Sequence, residues 1–391
     1  MSDTDDTLEQ LAALPTMAHP TVSPDGETVA LYYDISGRNE LHTVDVETGE
    51  SRQISDGEVP RDARWHVEWG ADGERVFFHL DDDGDEQNDI HAVDLDGDAE
   101  PVVEMDGQVT IHDVGEDGET LLFGSNRDGQ MNVYSHDLGS GETTKLTEYD
   151  RAVWGSLLSP DGDRIAYSTN ESDDYDNVDV YVADADGSNP RNLRLGDDGA
   201  ESGPADWHPD GDALLVSDNS DDLTRPGVYD FESEEVTWYG DLDYEEEPKF
   251  FLPDGERFLT ERSREAGKVP VVYDTETGES REFDVPDGVA SFGRGTAGNA
   301  VVDENRVVLL NTSPTRRPEL LLYDLEADEY EVLLEAEYGN FSPEEFADAE
   351  YFTVQSDGVP ETPAAAVDHD PYDELEIGAL FYDSGVRPSP L

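Results

Sequence analysis

The sequence predicts an all-β chain: a seven-bladed β-propeller of four-stranded antiparallel blades, with a short helix before it and two further strands after it. Three observations predict this. An Asp-Gly turn recurs at a near-constant period, short apolar runs of strand length flank each turn, and a third run in every repeat ends on an aspartate.

The turns are Asp25-Gly26, Asp72-Gly73, Asp117-Gly118, Asp161-Gly162, Asp210-Gly211 and Asp254-Gly255, with glycine-to-glycine steps of 47, 45, 44, 49 and 44 residues. An eroded seventh copy, Asp303-Glu304-Asn305-Arg306, aligns with Asp254-Gly255-Glu256-Arg257. Periods of this size belong to propeller blades or helical repeats. The local chemistry selects the first. Pro24, Pro160, Pro209 and Pro253 stand directly before the aspartate, which suits a type I hairpin turn closed by a left-handed glycine.

An apolar residue precedes each turn by three positions: Val22, Trp69, Val114, Leu158, Trp207, Phe251 and Ala300. A short apolar run follows each one, as in Val29–Tyr33, Val76–Phe78, Leu121–Phe123 and Val307–Leu310. Such runs fit strands buried on both faces, whereas helices need longer patterns of 3.6-residue period. The third strands end at Asp45, Asp94, Asp137, Asp184, Asp230, Asp274 and Asp324. A second hairpin turn and a fourth short strand complete the unit, as in Thr48-Gly49-Glu50 followed by Ser51–Ile54.

Residues 4–14 form an amphipathic helical pattern with an acidic first turn, stopped by Pro15. From about Ala349 the rhythm breaks, and Tyr351–Val354 and Ile377–Tyr382 are strand-like runs around an Ala/Pro/Asp segment. The expected division is a lead-in over 1–18, the propeller over 19–345, and a linker with two strands over 346–391.

Composition bounds the setting. The 97 acidic residues against 23 basic ones give a net charge of −74, spread along the whole chain, with only three lysines. At molar salt the Debye length falls to about 3 Å and this self-repulsion is screened. The expected setting is a saline cytoplasm such as that of a halophilic archaeon. Nucleic acid and anionic membranes are excluded as partners for want of a basic patch. The absence of cysteine excludes disulfide and thiol chemistry. The N-terminus lacks the apolar core of a secretory signal, and no apolar run is long enough to span a bilayer.

The residues Val22-Ser-Pro-Asp-Gly26, Asp83-Gly-Asp-Glu86, Ser125-Asn-Arg-Asp-Gly129 and Leu158-Ser-Pro-Asp-Gly162 resemble the N-terminal propeller of the prolyl oligopeptidase family of serine peptidases. Its acylaminoacyl-peptidase and dipeptidyl-peptidase branches are the most similar. The tail, Phe352–Gly358 and 377–382, resembles the first strands of that family's α/β-hydrolase domain. TolB-like propellers share the Ser-Pro-Asp-Gly repeats. The family's catalysis uses a serine on a Gly-x-Ser-x-Gly elbow, an aspartate and a histidine, with a His-Gly-Gly stretch nearby. This chain has neither motif; Phe123-Gly-Ser-Asn126 and Trp154-Gly-Ser-Leu157 only approach the elbow. The resemblance therefore assigns no catalytic residue and no cofactor here. It implies a non-catalytic propeller, inactive alone, that admits short peptides to an associated hydrolase domain. The alternative is a free-standing TolB-like propeller serving as a protein-interaction scaffold.

Other candidates have structural explanations. Asp81–Glu86 clusters carboxylates, but its glycine stands fourth where an EF-hand loop needs it sixth, so a solvated hairpin tip is expected. The pairs within Glu245–Glu247 and Glu234–Glu235 could take a peptide amine but lack a supporting motif. The nine histidines, including His66, His79 and His112, fall singly without metal-ligand spacing. Arg316-Arg317 is expected in surface ion pairs, and Trp69 and Trp207 in the core.

Overall fold

The computed structural model describes residues 3–81, 84, 87–264, 266–293, 299–347, 349–355 and 376–382. The first sheet is an antiparallel meander of Met17–Val22, Thr28–Tyr33, Glu40–Asp45 and Ser51–Gln53, paired in chain order. Four more four-stranded sheets repeat this order over residues 68–103, 109–145, 153–192 and 202–238. Eight strands between Glu246 and Leu334 form one larger sheet, in which a single parallel bridge, Lys268↔Val289, joins two antiparallel runs. All of the third strands end on the aspartates that the sequence marks, from Asp45 to Asp324.

Burial grades across each sheet. Every residue of Thr28–Tyr33 except Thr28 is buried, whereas all of Ser51–Gln53 is exposed. The second strand is sandwiched because its side chains alternate between two neighbouring sheets. Ala30 and Tyr32 pack with Trp69, Val76 and Phe78 of the next sheet. Val29, Leu31 and Tyr33 pack instead with Val308, Leu320 and Leu322 near the end of the array. Four further core clusters also straddle successive sheets, and another fills the larger sheet between its two antiparallel runs, so the sheets close into a ring, a β-propeller.

Among the described residues, no strand is shared across the closure. First and last strand sets each pair in chain order, and the seam is held by apolar packing and a few polar ties. Val22 N–H donates to Asn299 O at 2.6 Å, Arg306 reaches Glu47 at 2.8 Å, and the Arg317 guanidinium donates to the carbonyls of Leu14 and Pro15. Arg316 lies 3.7 Å from Glu319. Arg317, expected in a surface ion pair, instead anchors the lead-in, because the ring brings positions 302 residues apart into contact.

The helix spans Asp3–Ala12. Ala349–Gln355 and Glu376–Tyr382 pair antiparallel, from Ala349↔Tyr382 to Gln355↔Glu376. Phe352, Val354, Ile377 and Phe381 share one face of this ribbon and all are exposed. Among the described residues, no helix is long and apolar enough to cross a membrane.

Candidate functional site

The first strands of the sheets contact one another around the ring and form its inner wall. Five of them carry a bulge against the second strand, with an extra residue at His19-Pro20, His112, Gly155, Ala205 or Lys249. A bulge re-aims a side chain and bends the strand. The non-glycine His19 accordingly sits at φ 52°.

Three carboxyl groups, Glu68, Asp113 and Asp206, occupy the position just before the repeat's apolar slot. Asp113 Oδ2 accepts from Leu158 N–H at 2.7 Å and Asp206 Oδ2 from Phe251 N–H at 2.8 Å, each tying its sheet to the following one. Glu68 Oε2 is buried without a hydrogen-bond partner. Burial pushes Glu68 up to about 8 and Asp113 and Asp206 up to about 7; repulsion by Asp113 adds to the rise at Glu68 and Asp206, and repulsion by Glu116 to that at Asp113 and Asp206. Trp69 and Trp207, at 3% and 4% exposure, lie in the core beside them, with indole N–H groups donating to Thr21 O and Leu157 O.

Histidines that are scattered in sequence gather on this wall. The rings of His66 and His79 lie 5.3 Å apart. His79 Nε2 accepts from Ile111 N–H at 2.9 Å, which leaves its proton on Nδ1, 3.2 Å from His66 O. Burial pushes His66 down to about 4, His112 to about 3 and His79 well below the ordinary range. His112 Nδ1 lies 2.9 Å from Ser156 Oγ, the spacing of a base and a nucleophile. Ser156 is fully buried and His112 Nε2 presses on the backbone at Gly124, so no substrate carbonyl reaches the pair.

A cleft of about 180 Å³ opens beside the wall, lined by Pro204, Ser217, Thr224, Glu247, Lys249 and Phe250. Its charges are internally balanced. Lys249 Nζ lies 3.0 Å from Glu247 and 3.4 Å from Glu261, and Lys268 reaches the same two carboxylates. Glu246 is buried and accepts from Thr260, Arg262 and Tyr273. Glu245 accepts from Thr224, and Glu234 pairs with Arg191. These glutamates are committed to the protein's own donors.

Strand alternation puts the repeat turns at one end of the ring and the terminal segments at the other. Gly26, Gly73, Gly118, Gly162, Gly211 and Gly255 all have φ between 67° and 73°. At Gly26 a Cβ would also lie 2.3 Å from Val302 O, across the seam. Asp25, Asp72, Asp117, Asp161 and Asp254 each accept the amide two residues on; in the fifth turn Asp210 N–H instead points to His208 Nδ1. Of the Asp81–Glu86 loop, residues 82, 83, 85 and 86 lie outside the described residues. The terminal end carries exposed apolar side chains: Ile35, Trp154, Tyr175 and Tyr244. Leu14 and Gly339 meet there, and Asn340 donates to Gln10.

No protein-family model matches the chain. An uncharacterized protein of Agrobacterium fabrum is 27% identical over 200 residues, covering 49% of this chain and 66% of that protein. A prolyl endopeptidase superposes with a TM-score of 0.67 at 17% identity, over 88% of this chain and 53% of the other. The β-propeller domain of the Trilobed protease from Pyrococcus furiosus, which has an open velcro topology, superposes at 0.63 with 16% identity, over 83% of this chain and 100% of that domain. An oligogalacturonate lyase in complex with manganese gives 0.61 at 17% identity, over 80% and 92%. The chain thus spans about half the length of the prolyl endopeptidase it resembles. At these identities the likeness establishes the fold, a β-propeller of the type found in prolyl oligopeptidases, and leaves the chemistry to other arguments.

Proposed function

We propose that this chain is the seven-bladed propeller portion of a prolyl oligopeptidase-family serine peptidase, acylaminoacyl- or dipeptidyl-peptidase-like, and that it gates peptide access without doing chemistry. The larger sheet then counts as two blades, and 349–382 as the first strands of an α/β-hydrolase domain. The observation that carries this is the ribbon after the ring, whose apolar face of Phe352, Val354, Ile377 and Phe381 is exposed. An isolated two-stranded ribbon is at best marginally stable in water, so it calls for further strands or helices to cover it. Ile35, Trp154, Tyr175 and Tyr244, at the same end as the terminal segments, supply an apolar landing surface for that domain. Gating is steric: the bulged inner wall admits a short extended peptide and rejects folded chains.

The cytoplasmic, saline setting belongs to the same proposal and rests on the charge of −74. The second reading, a free-standing TolB-like scaffold, gains support from the 92% coverage of the lyase chain, since such a ring can be most of a protein. Assay of the purified chain in molar KCl with aminoacyl and dipeptidyl chromogenic substrates tests the gating proposal. No turnover is expected from the chain alone. Fusing it to, or mixing it with, a hydrolase domain encoded downstream should give turnover limited to short peptides. Enzyme-like rates from the chain alone, or no size limit in the joined protein, would overturn it.

A further inference from the structure

We propose that His208, Asp210 and Asp212, at the tip of the fifth Asp-Gly turn, bind a divalent transition-metal cation such as Zn²⁺. In turns one and four this place holds Ser23 and Ser159, whose hydroxyls donate to Asp25 and Asp161 at 2.6 Å. Turn five substitutes an imidazole and changes the chemistry. His208 Nε2 lies 3.2 Å from Gly255 O, and because a carbonyl only accepts, that nitrogen carries the proton. In the neutral ring Nδ1 is then an acceptor; it takes the Asp210 N–H at 3.2 Å and also lies 3.0 Å from Asp212 Oδ1. Two acceptors at that distance repel unless something positive lies between them. The Asp210 carboxylate completes the set, with all three ligand atoms within 4.8 Å of one another.

An imidazole that donates one N–H to a backbone carbonyl and turns its other nitrogen toward carboxylates has the outer-shell arrangement of a metal-ligating histidine. Zinc bonds to nitrogen and carboxylate oxygen run about 2.0–2.2 Å. The exposed Asp210 and Asp212 side chains can rotate to meet that geometry, with water filling the remaining positions. Through Nε2–H on Gly255 O, the bound cation would staple turn five to turn six, across two successive blades. The competitor is a proton on Nδ1, which would make the same contact a plain His208–Asp212 ion pair.

Calorimetric titration of Zn²⁺ into the full chain in molar KCl separates the two. The wild type should bind one equivalent above the diffuse carboxylate background. His208→Ser, which restores the residue of turns one and four, should weaken it at least about tenfold. Turn four reads Pro160-Asp161-Gly162-Asp163, matching Pro209-Asp210-Gly211-Asp212, so Ser159→His should create a second equivalent. In a Cu²⁺-loaded sample, spin resonance should show coupling to one imidazole nitrogen that His208→Ser removes. Equal Zn²⁺ binding by wild type and His208→Ser, or no equivalent above background in either the wild type or Ser159→His, would overturn the proposal and leave the ion pair. Should His208→Ser fail to fold, the gain at Ser159→His still decides.

Discussion

Asp113 on the inner wall and Asp161 on a turn tip lie one repeat apart, yet their surroundings act on them in opposite directions. Burial raises Asp113 to about 7, whereas the Ser159 hydroxyl and the Asp163 amide hold Asp161 below the ordinary carboxylate range. Glu68 and Asp206 follow Asp113, and Asp25, Asp45, Asp137, Asp230 and Asp274 follow Asp161. The turn tips hold carboxylates as hydrogen-bonded anions facing water, and so accommodate a very acidic composition. On the wall, Asp113 and Asp206 tie successive sheets together in surroundings where charge is unwelcome.

The two regions should respond to pH with opposite signs. A carboxyl whose folded pKa is raised binds more protons folded than unfolded, so its contribution is present at low pH and lost as pH rises from about 4 to about 8. A carboxyl whose folded pKa is lowered contributes above about 4, and that contribution is lost on acidification.

The largest effect expected is on the packing that both regions depend on. Trp207→Ala removes a core indole whose ring also stacks on Phe231 at 5.4 Å and lies under Arg164 at 4.8 Å. It should cost about 3–5 kcal/mol in denaturant unfolding. A loss below about 1 kcal/mol would mean that the ring is not held by its inter-sheet cores.

The next effect sharpens the contrast in pH. Asp113→Asn, which keeps an acceptor for Leu158 N–H, should stabilise the chain on the order of 1–2 kcal/mol at pH 8.5 and by little at pH 5. Glu68→Gln should behave alike. Unfolding midpoints that shift equally at both pH values would show that the wall carboxyls titrate normally.

The smallest effect belongs to the turns. Asp161→Ala removes the acceptor for Ser159 and Asp163 and should cost roughly 0.5–1.5 kcal/mol at pH 7, shrinking as the pH falls below about 4. Raising KCl from 0.1 to 2 M should raise the thermal midpoint of the wild type while leaving the Asp113→Asn difference nearly unchanged, because salt screens exposed charge far better than buried charge.

The repeat was legible because its chemistry is local. A left-handed glycine after aspartate, the two-sided apolar run of Thr28–Tyr33 and the terminal aspartates of the third strands depend on neighbours a few residues away. The inner wall was far less legible. Nothing in the spacing of His66, His79 and His112 announces that they meet, because His66 precedes the first strand of its sheet, His79 stands on the second strand and His112 on the next sheet, and only the packing of the two sheets aligns them. The bulges at His112, Ala205 and Lys249 leave no mark on the residue pattern. His208 stood in plain view as a substitution in the serine position, but its meaning depends on Gly255 O, 47 residues on.

By itself, then, the sequence determined the strand content, the turn chemistry and the period, all set by steric and hydrogen-bonding rules that act within one repeat. Only the tertiary structure decided how the ring closes, by packing of Val308, Leu320 and Leu322 on the first sheet with Arg317 holding the lead-in. It also decided which acids are buried and which are solvated, because burial depends on what the other repeats bring alongside.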